Sequence, residues 1–228
     1  MEVVLSTDPK LRQGRLENGF EYYIRANAKP KERAHFQLVV KAGSLLEDED
    51  QRGLAHILEH MAFNGSTNFK SGDLVEYFTS IGMRFGAHLN AMTSFEKTIY
   101  KLQVPTTDQA ILNKTFAIMR DWCSELSFLP EEIERERNVG LEEWRQGLGG
   151  MRRAFQQLMP TTFFGSIHTE RLPIGTEQSL RSFSHEALTR FYRKWYRPEN
   201  TGLVVVGDVD PLHIERMIKT CFSDWVPE

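Results

Sequence analysis

His56, Glu59 and His60 fall within five consecutive residues, His56-Ile57-Leu58-Glu59-His60. In a helix, histidines four apart lie on one face about one turn apart. Both imidazoles can then reach one metal ion, and Glu59 leans toward the same ion. Zinc takes nitrogen and oxygen ligands tetrahedrally, and a catalytic zinc keeps one position for water. A carboxylate beside that water can take its proton and produce a hydroxide-like nucleophile. The five residues thus offer two ligands and a general base. Such a spacing also arises by chance, so the flanks matter. They are small and apolar, Gly53-Leu54-Ala55 before and Met61-Ala62-Phe63 after. Two histidines and a glutamate are costly to half-bury there unless something satisfies them.

A third protein ligand is needed, and the charged stretch 131–143 offers candidates. Glu136 and Glu143 are two helical turns apart and share a face, with Glu132 on nearly the same one. Glu142 points about 100° away from Glu143. A charge run of this kind is also what an ordinary solvated helix surface looks like. Spacing alone does not choose among these carboxylates.

The elements that must hold these groups are legible in outline. Asn18-Gly19 between alternating runs predicts a hairpin over 13–24. Residues 34–43 read as a third strand, and the acidic stretch 44–51 as a loop. A helix over 53–63 carries the histidines and ends at Asn64-Gly65-Ser66. A second helix is expected over 71–81, then strands over 85–90 and 96–104. Residues 108–126 have helical periodicity. Pro130 opens a charged helix over 131–144, and Gly147, Gly149 and Gly150 break the chain before a helix over 151–159. Residues 161–176 are loop-like. Ser184 caps a helix running to Tyr196, 201–206 is a β-branched strand, and Asp210-Pro211 starts a last helix ending near Phe222. Strand pairs with helices gathered between them imply α+β, with a largely antiparallel sheet.

Composition excludes several classes. The chain of 228 residues suits one domain, and its net charge of −3 with interspersed signs gives no field for nucleic acid. No apolar run approaches the ~20 residues of a membrane span, and the first residues lack the pattern of a signal peptide. Cys123 and Cys221 sit beside Trp122 and Phe222 and read as small core residues. Neither lies in a Cys-x-x-Cys pair.

Residues 53–66, Gly53-Leu54-Ala55-His56-Ile57-Leu58-Glu59-His60-Met61-Ala62-Phe63-Asn64-Gly65-Ser66, strongly resemble the zinc signature of the pitrilysin-like M16 peptidases, an inverted His-x-x-Glu-His motif. Two further segments occur in the family's order. Residues 136–145 resemble its downstream ligand helix. Tyr196-Arg197-Pro198-Glu199-Asn200, leading into Val204-Val205-Val206-Gly207-Asp208-Val209, resembles the close of its first domain. The resemblance covers roughly residues 10 to 225. It implies His56, His60 and Glu143 as ligands to one zinc, Glu59 as general base, and Glu136 as a carboxylate behind the ligands. Residues 85–94 resemble the family's substrate strand, which implies that Asn90 and Ala91 flank the scissile bond of an extended peptide.

The implied fold is a two-layer sandwich of a mixed, largely antiparallel sheet covered by helices. The implied activity is zinc-dependent endopeptidase action on peptides or unfolded segments. The implied partners are homologous domains of the same chain or of a partner subunit, which supply an Arg and a Tyr to the substrate. The chain is thus expected to be the N-terminal, zinc-binding domain of a longer protein, weakly active or inactive alone. Bacterial members are most similar around Glu142-Glu143-Trp144-Arg145, which points to the cell envelope or periplasm, with the cytoplasm as the alternative. A non-catalytic relative would be expected to lose motif residues. A structural zinc module would be closed by a fourth ligand, usually Cys, and would have no use for Glu59.

Overall fold

The computed structural model describes residues 8–226. One six-stranded sheet, in the order β1-β2-β6-β3-β5-β4, forms one layer. Its strands are β1 (Leu11–Arg15), β2 (Glu21–Ala26), β3 (Arg33–Val40), β4 (Leu89–Thr93), β5 (Thr98–Pro105) and β6 (Thr201–Gly207). Every neighbouring pair is antiparallel except β2 with β6. This is the mixed, largely antiparallel sheet that the sequence implies.

Alternation along the central strands sets the core side. Ala34, Phe36, Leu38 and Val40 of β3 are fully buried. They stand opposite Val104, Leu102, Tyr100 and Thr98 of β5, and Phe36 and Leu38 also face Val205 and Leu203 of β6. Side chains alternate across a strand, so these residues line one face. The helices α1 (Leu54–Met61), α3 (Gln109–Ser124), α7 (His185–Trp195) and α8 (Pro211–Phe222) bring their apolar stripes to this core. Cys123 is buried within it and Cys221 half-buried at its margin; both are free thiols. The remaining helices are α2 (Asp73–Ser80), α4 (Pro130–Gln146), α5 (Gly150–Thr162) and α6 (Glu177–Ser182).

Two expectations are corrected. The strand expected over 85–90 begins only at Leu89. Gly86 takes φ +82° and the chain turns there, with His88 Nδ1 accepting the Arg84 amide at 3.1 Å. Pairing with β5 therefore runs from Leu89 to Thr93. Helix α6 was not expected at all. It is a short helix whose start is fixed by a reciprocal cap between Thr176 and Ser179, too brief for apolar periodicity to reveal.

Helix α1 is held at both ends. Gly53, at φ +91°, turns the chain into it, where an added Cβ would stand 3.0 Å from Gly175 Cα. Glu47 caps the start, its Oε2 accepting the Gly53 amide at 3.0 Å and its Oε1 the Ala55 amide at 2.9 Å. At the far end Trp122 Nε1 donates to Ala62 O at 2.7 Å. Helix α4 crosses α1 closely. A Cβ at Gly140 would lie 2.6 Å from Ile57 Cδ1, so glycine lets the two backbones approach. That approach brings the glutamates of α4 over the histidines of α1.

Candidate metal centre

Leu54, Ala55, Ile57, Leu58 and Met61 bury the core face of α1, which leaves His56 and His60 half-buried on the face toward α4. Their rings stand edge to face with centroids 4.5 Å apart. Glu143 Oε2 lies 3.6 Å from His56 Nε2 and 3.8 Å from His60 Nε2. The three candidate ligand atoms all fall within 4.8 Å of one another. Ligands at about 2.0–2.1 Å on a zinc tetrahedron stand about 3.4 Å apart, so the two Glu143 distances need only a small contraction around an ion.

Neighbouring groups set the imidazoles for that task. His60 Nδ1 lies 3.0 Å from Glu136 Oε2. A carboxylate there accepts a hydrogen bond from Nδ1–H, which keeps the proton on that nitrogen and leaves the Nε2 lone pair free for a metal. Burial pulls the His60 pKa down, but Glu136 and the negative charges of Glu143 and Glu59 outweigh it and the net shift is upward. Glu136 responds in kind. Burial raises it, the hydrogen bond and charge of His60 help to lower it more, and it stays ionised. His56 has no such carboxylate at hydrogen-bond distance. Burial, then the charge of His60, depress its pKa to about 4, so it is neutral and free to donate a lone pair near neutral pH.

Glu59 is only 7% exposed. Burial raises its pKa, opposed by the hydroxyl of Thr93, which donates to Oε2 at 2.6 Å. The other carboxylates of the charged helix part company here. Glu142 is exposed and faces Arg145 and Gln146 at 3.5 Å. Glu132 pairs with Arg135. Of the four that spacing left open, Glu143 is the one placed at both imidazoles and Glu136 the one placed behind His60.

A cleft of about 800 Å³ opens beside these groups. Its walls come from α1, α2, α4 and the start of β4, and Phe63, Val75, Phe85 and Val139 make part of them apolar. Asn90 and Ala91 also line it, on β4, the edge strand of the sheet. Asn90 Oδ1 accepts the Ala91 amide at 2.9 Å. Sequence reasoning missed Thr93 and Glu47. Thr93 stood in a segment read for its backbone, and Glu47 in a stretch read as a polar loop. Nothing in residue type separates a buried acid cap from an exposed one.

Residues 22–168 match the family model of insulinase, peptidase family M16. The chain belongs to peptidase family M16. Residues 182–228 match the model of the M16 inactive domain. A probable zinc protease PqqL of Haemophilus influenzae is 37% identical over 98% of this chain and 24% of that protein. A zinc protease PQQL-like of Arabidopsis thaliana is 43% identical over 92% of this chain and 22% of that protein. The crystal structure of the periplasmic protease PqqL from Escherichia coli superposes with a TM-score of 0.93 at 35% identity, covering 96% of this chain and 24% of that one. The M16 chain described here thus spans about a quarter of the length of these relatives. Among its described residues, no helix is long and apolar enough to cross a membrane.

Proposed function

We propose that this chain is the zinc-binding domain of a longer M16 metalloendopeptidase. His56, His60 and Glu143 hold the metal, and Glu59 is the general base. One observation carries the reading. Two imidazole Nε2 atoms and one carboxylate oxygen converge at 3.6 and 3.8 Å beside a buried glutamate and a cleft. Two nitrogens and one oxygen make the donor set of a catalytic zinc rather than of a closed structural one. The zinc protease names of the relatives support the same metal. Bound zinc would supply Lewis acidity and lower the pKa of a water.

The chain's own residues do the rest. Glu136 keeps the His60 proton on Nδ1, so Nε2 remains a ligand. Thr93 occupies Glu59 Oε2, which leaves Oε1 to accept the proton of the attacking water and later return it to the leaving amine. The free edge of β4 gives an extended peptide main-chain partners alongside Asn90 and Ala91. The apolar cleft wall takes a side chain next to the scissile bond. Homologous domains of the same chain complete the site, as the coverage of a quarter of each relative supports. The periplasmic label of the Escherichia coli relative supports a place in the cell envelope.

The test is Glu59→Gln in the full-length protein. It should retain zinc and lose turnover by about 10²-fold or more, the usual size of a general-base contribution. Wild-type turnover in that variant would remove Glu59 from the mechanism.

A further inference from the structure

Thr93 ends β4, the strand whose free edge faces the cleft. Its hydroxyl has one proton. Three oxygens lie within reach: Glu59 Oε2 at 2.6 Å, Ala55 O at 3.5 Å and Thr98 Oγ1 at 3.5 Å. The short contact is to a carboxylate, and a charge-assisted hydrogen bond of this length takes the proton from the two long ones. Among the described residues, Thr93 is the only group that donates to Glu59.

Thr93 is itself fixed from behind. Opposite it in the β4–β5 pair stands Thr98. Thr98 is fully buried and donates its own proton to Ala42 O at 3.0 Å. Thr98 therefore cannot also donate to Glu59, and it confines Thr93 on one side. Deeper still, the hydroxyls of Tyr100 and Tyr196 bond each other at 2.7 Å. The Glu59 carboxylate is thus held through one oxygen by a strand residue, with no second donor to it among the described residues.

We propose that Thr93 is a positioning residue for Glu59 and that it couples the base to the strand that receives the peptide. The inference rests on Glu59 being the base, as proposed above. Ala91 and Thr93 are two apart on β4 and point to the same face, toward α1. A peptide that pairs with the β4 edge stiffens the strand, and the strand presents the hydroxyl to Oε2. The carboxylate then has one orientation, with Oε1 toward the metal-side water. Without the hydroxyl, the side chain rotates among orientations of which few are productive. A misplacement of about 1 Å at a reacting group can cost 10²-fold in rate.

The experiment compares zinc-loaded full-length wild type, Thr93→Val, Thr93→Ser, Thr93→Ala and Glu59→Gln. The readouts are kcat and KM on one quenched peptide, zinc per chain, melting temperature, and a crystal structure of Thr93→Val. Valine matches the shape of threonine and lacks the donor, serine keeps the donor, and alanine covers the case in which valine does not fold. We expect kcat of Thr93→Val or Thr93→Ala to fall about 10- to 100-fold, with KM and zinc content unchanged. Thr93→Ser should regain most of the loss, and Glu59 in the Thr93→Val crystal should leave its wild-type rotamer. Wild-type kcat in the valine and alanine variants, with Glu59→Gln inactive, overturns the role of Thr93 and leaves the base assignment standing. Equal activity of Glu59→Gln and wild type overturns both. A loss that serine does not restore, or that comes with lost zinc or lowered melting temperature in every variant, assigns Thr93 a packing role and overturns the proposal.

Discussion

Glu136 and Glu143 sit on one helix, seven residues apart, yet the structure gives them different partners. Glu143 faces two Nε2 atoms and Glu136 faces one Nδ1. The difference makes a prediction that elemental analysis of purified variants checks. His56→Ala and His60→Ala should lose most bound zinc, because each removes an imidazole from the coordination sphere. Glu143→Gln should weaken binding, and Glu142→Gln, on the exposed side with Arg145, should not. Glu136→Gln should fall between, with zinc affinity down about 10- to 100-fold, the usual loss when a partner behind a ligand is removed. Equal loss in the Glu142 and Glu143 variants would contradict the third ligand. At this scale the sequence was informative where chemistry is local. His56, Glu59 and His60 are set by helical periodicity within one turn, so their convergence follows from their numbers. The carboxylate was not legible from spacing, since four glutamates fit the charge pattern; the family resemblance implied Glu143, and the crossing of two helices sets that residue beside both imidazoles.

The crossing of α1 and α4 is what turns two separate sequence segments into one site. Gly140 eases it, since an added Cβ would stand 2.6 Å from Ile57 Cδ1 and the isoleucine would have to shift. Gly140→Val should push α4 from α1, cost about 1–3 kcal/mol as other overpacked core contacts do, and weaken zinc binding by moving Glu143 from the histidines. Urea unfolding with and without zinc measures both. Unchanged stability and zinc affinity would show that the close approach is not needed. Neither Gly140 nor the Glu47 cap was readable in the sequence. A glycine in a charged helix gives no sign of which neighbour approaches it, and Glu47 lies in an acidic stretch whose other acids, Asp48, Glu49 and Asp50, are exposed. Strand β4 shares only Leu89 and Asn90 with the strand expected over 85–90 and runs on to Thr93, because the positive φ at Gly86 puts a turn before it. Longer elements such as α3, α4 and α8 were legible, since several turns of apolar or charged pattern outweigh any single misread residue.

At the scale of the whole chain, the candidate metal centre stands on an open cleft, with Glu143 half exposed. On the reading proposed here, further homologous domains close that cleft and supply donors for the developing oxyanion. Loss of such donors costs about 10²–10³ in rate. The 228-residue chain loaded with zinc should therefore cleave a peptide with a kcat/KM lower by at least that factor than the full-length protein, under one set of conditions. Comparable values would contradict a site shared between domains. The fold at this scale was legible as α+β from the order of its elements, whereas the strand order was not. The parallel pairing of β2 with β6 joins segments far apart in the chain, and only packing decides it. The central claim is that two imidazoles and one carboxylate hold a zinc with a position left for water. X-ray absorption at the zinc edge of the full-length protein tests it most directly. The prediction is nitrogen and oxygen neighbours only, at about 2.0–2.2 Å, with the multiple-scattering signature of two imidazoles. A sulfur neighbour, or a spectrum with no imidazole signature, would contradict it.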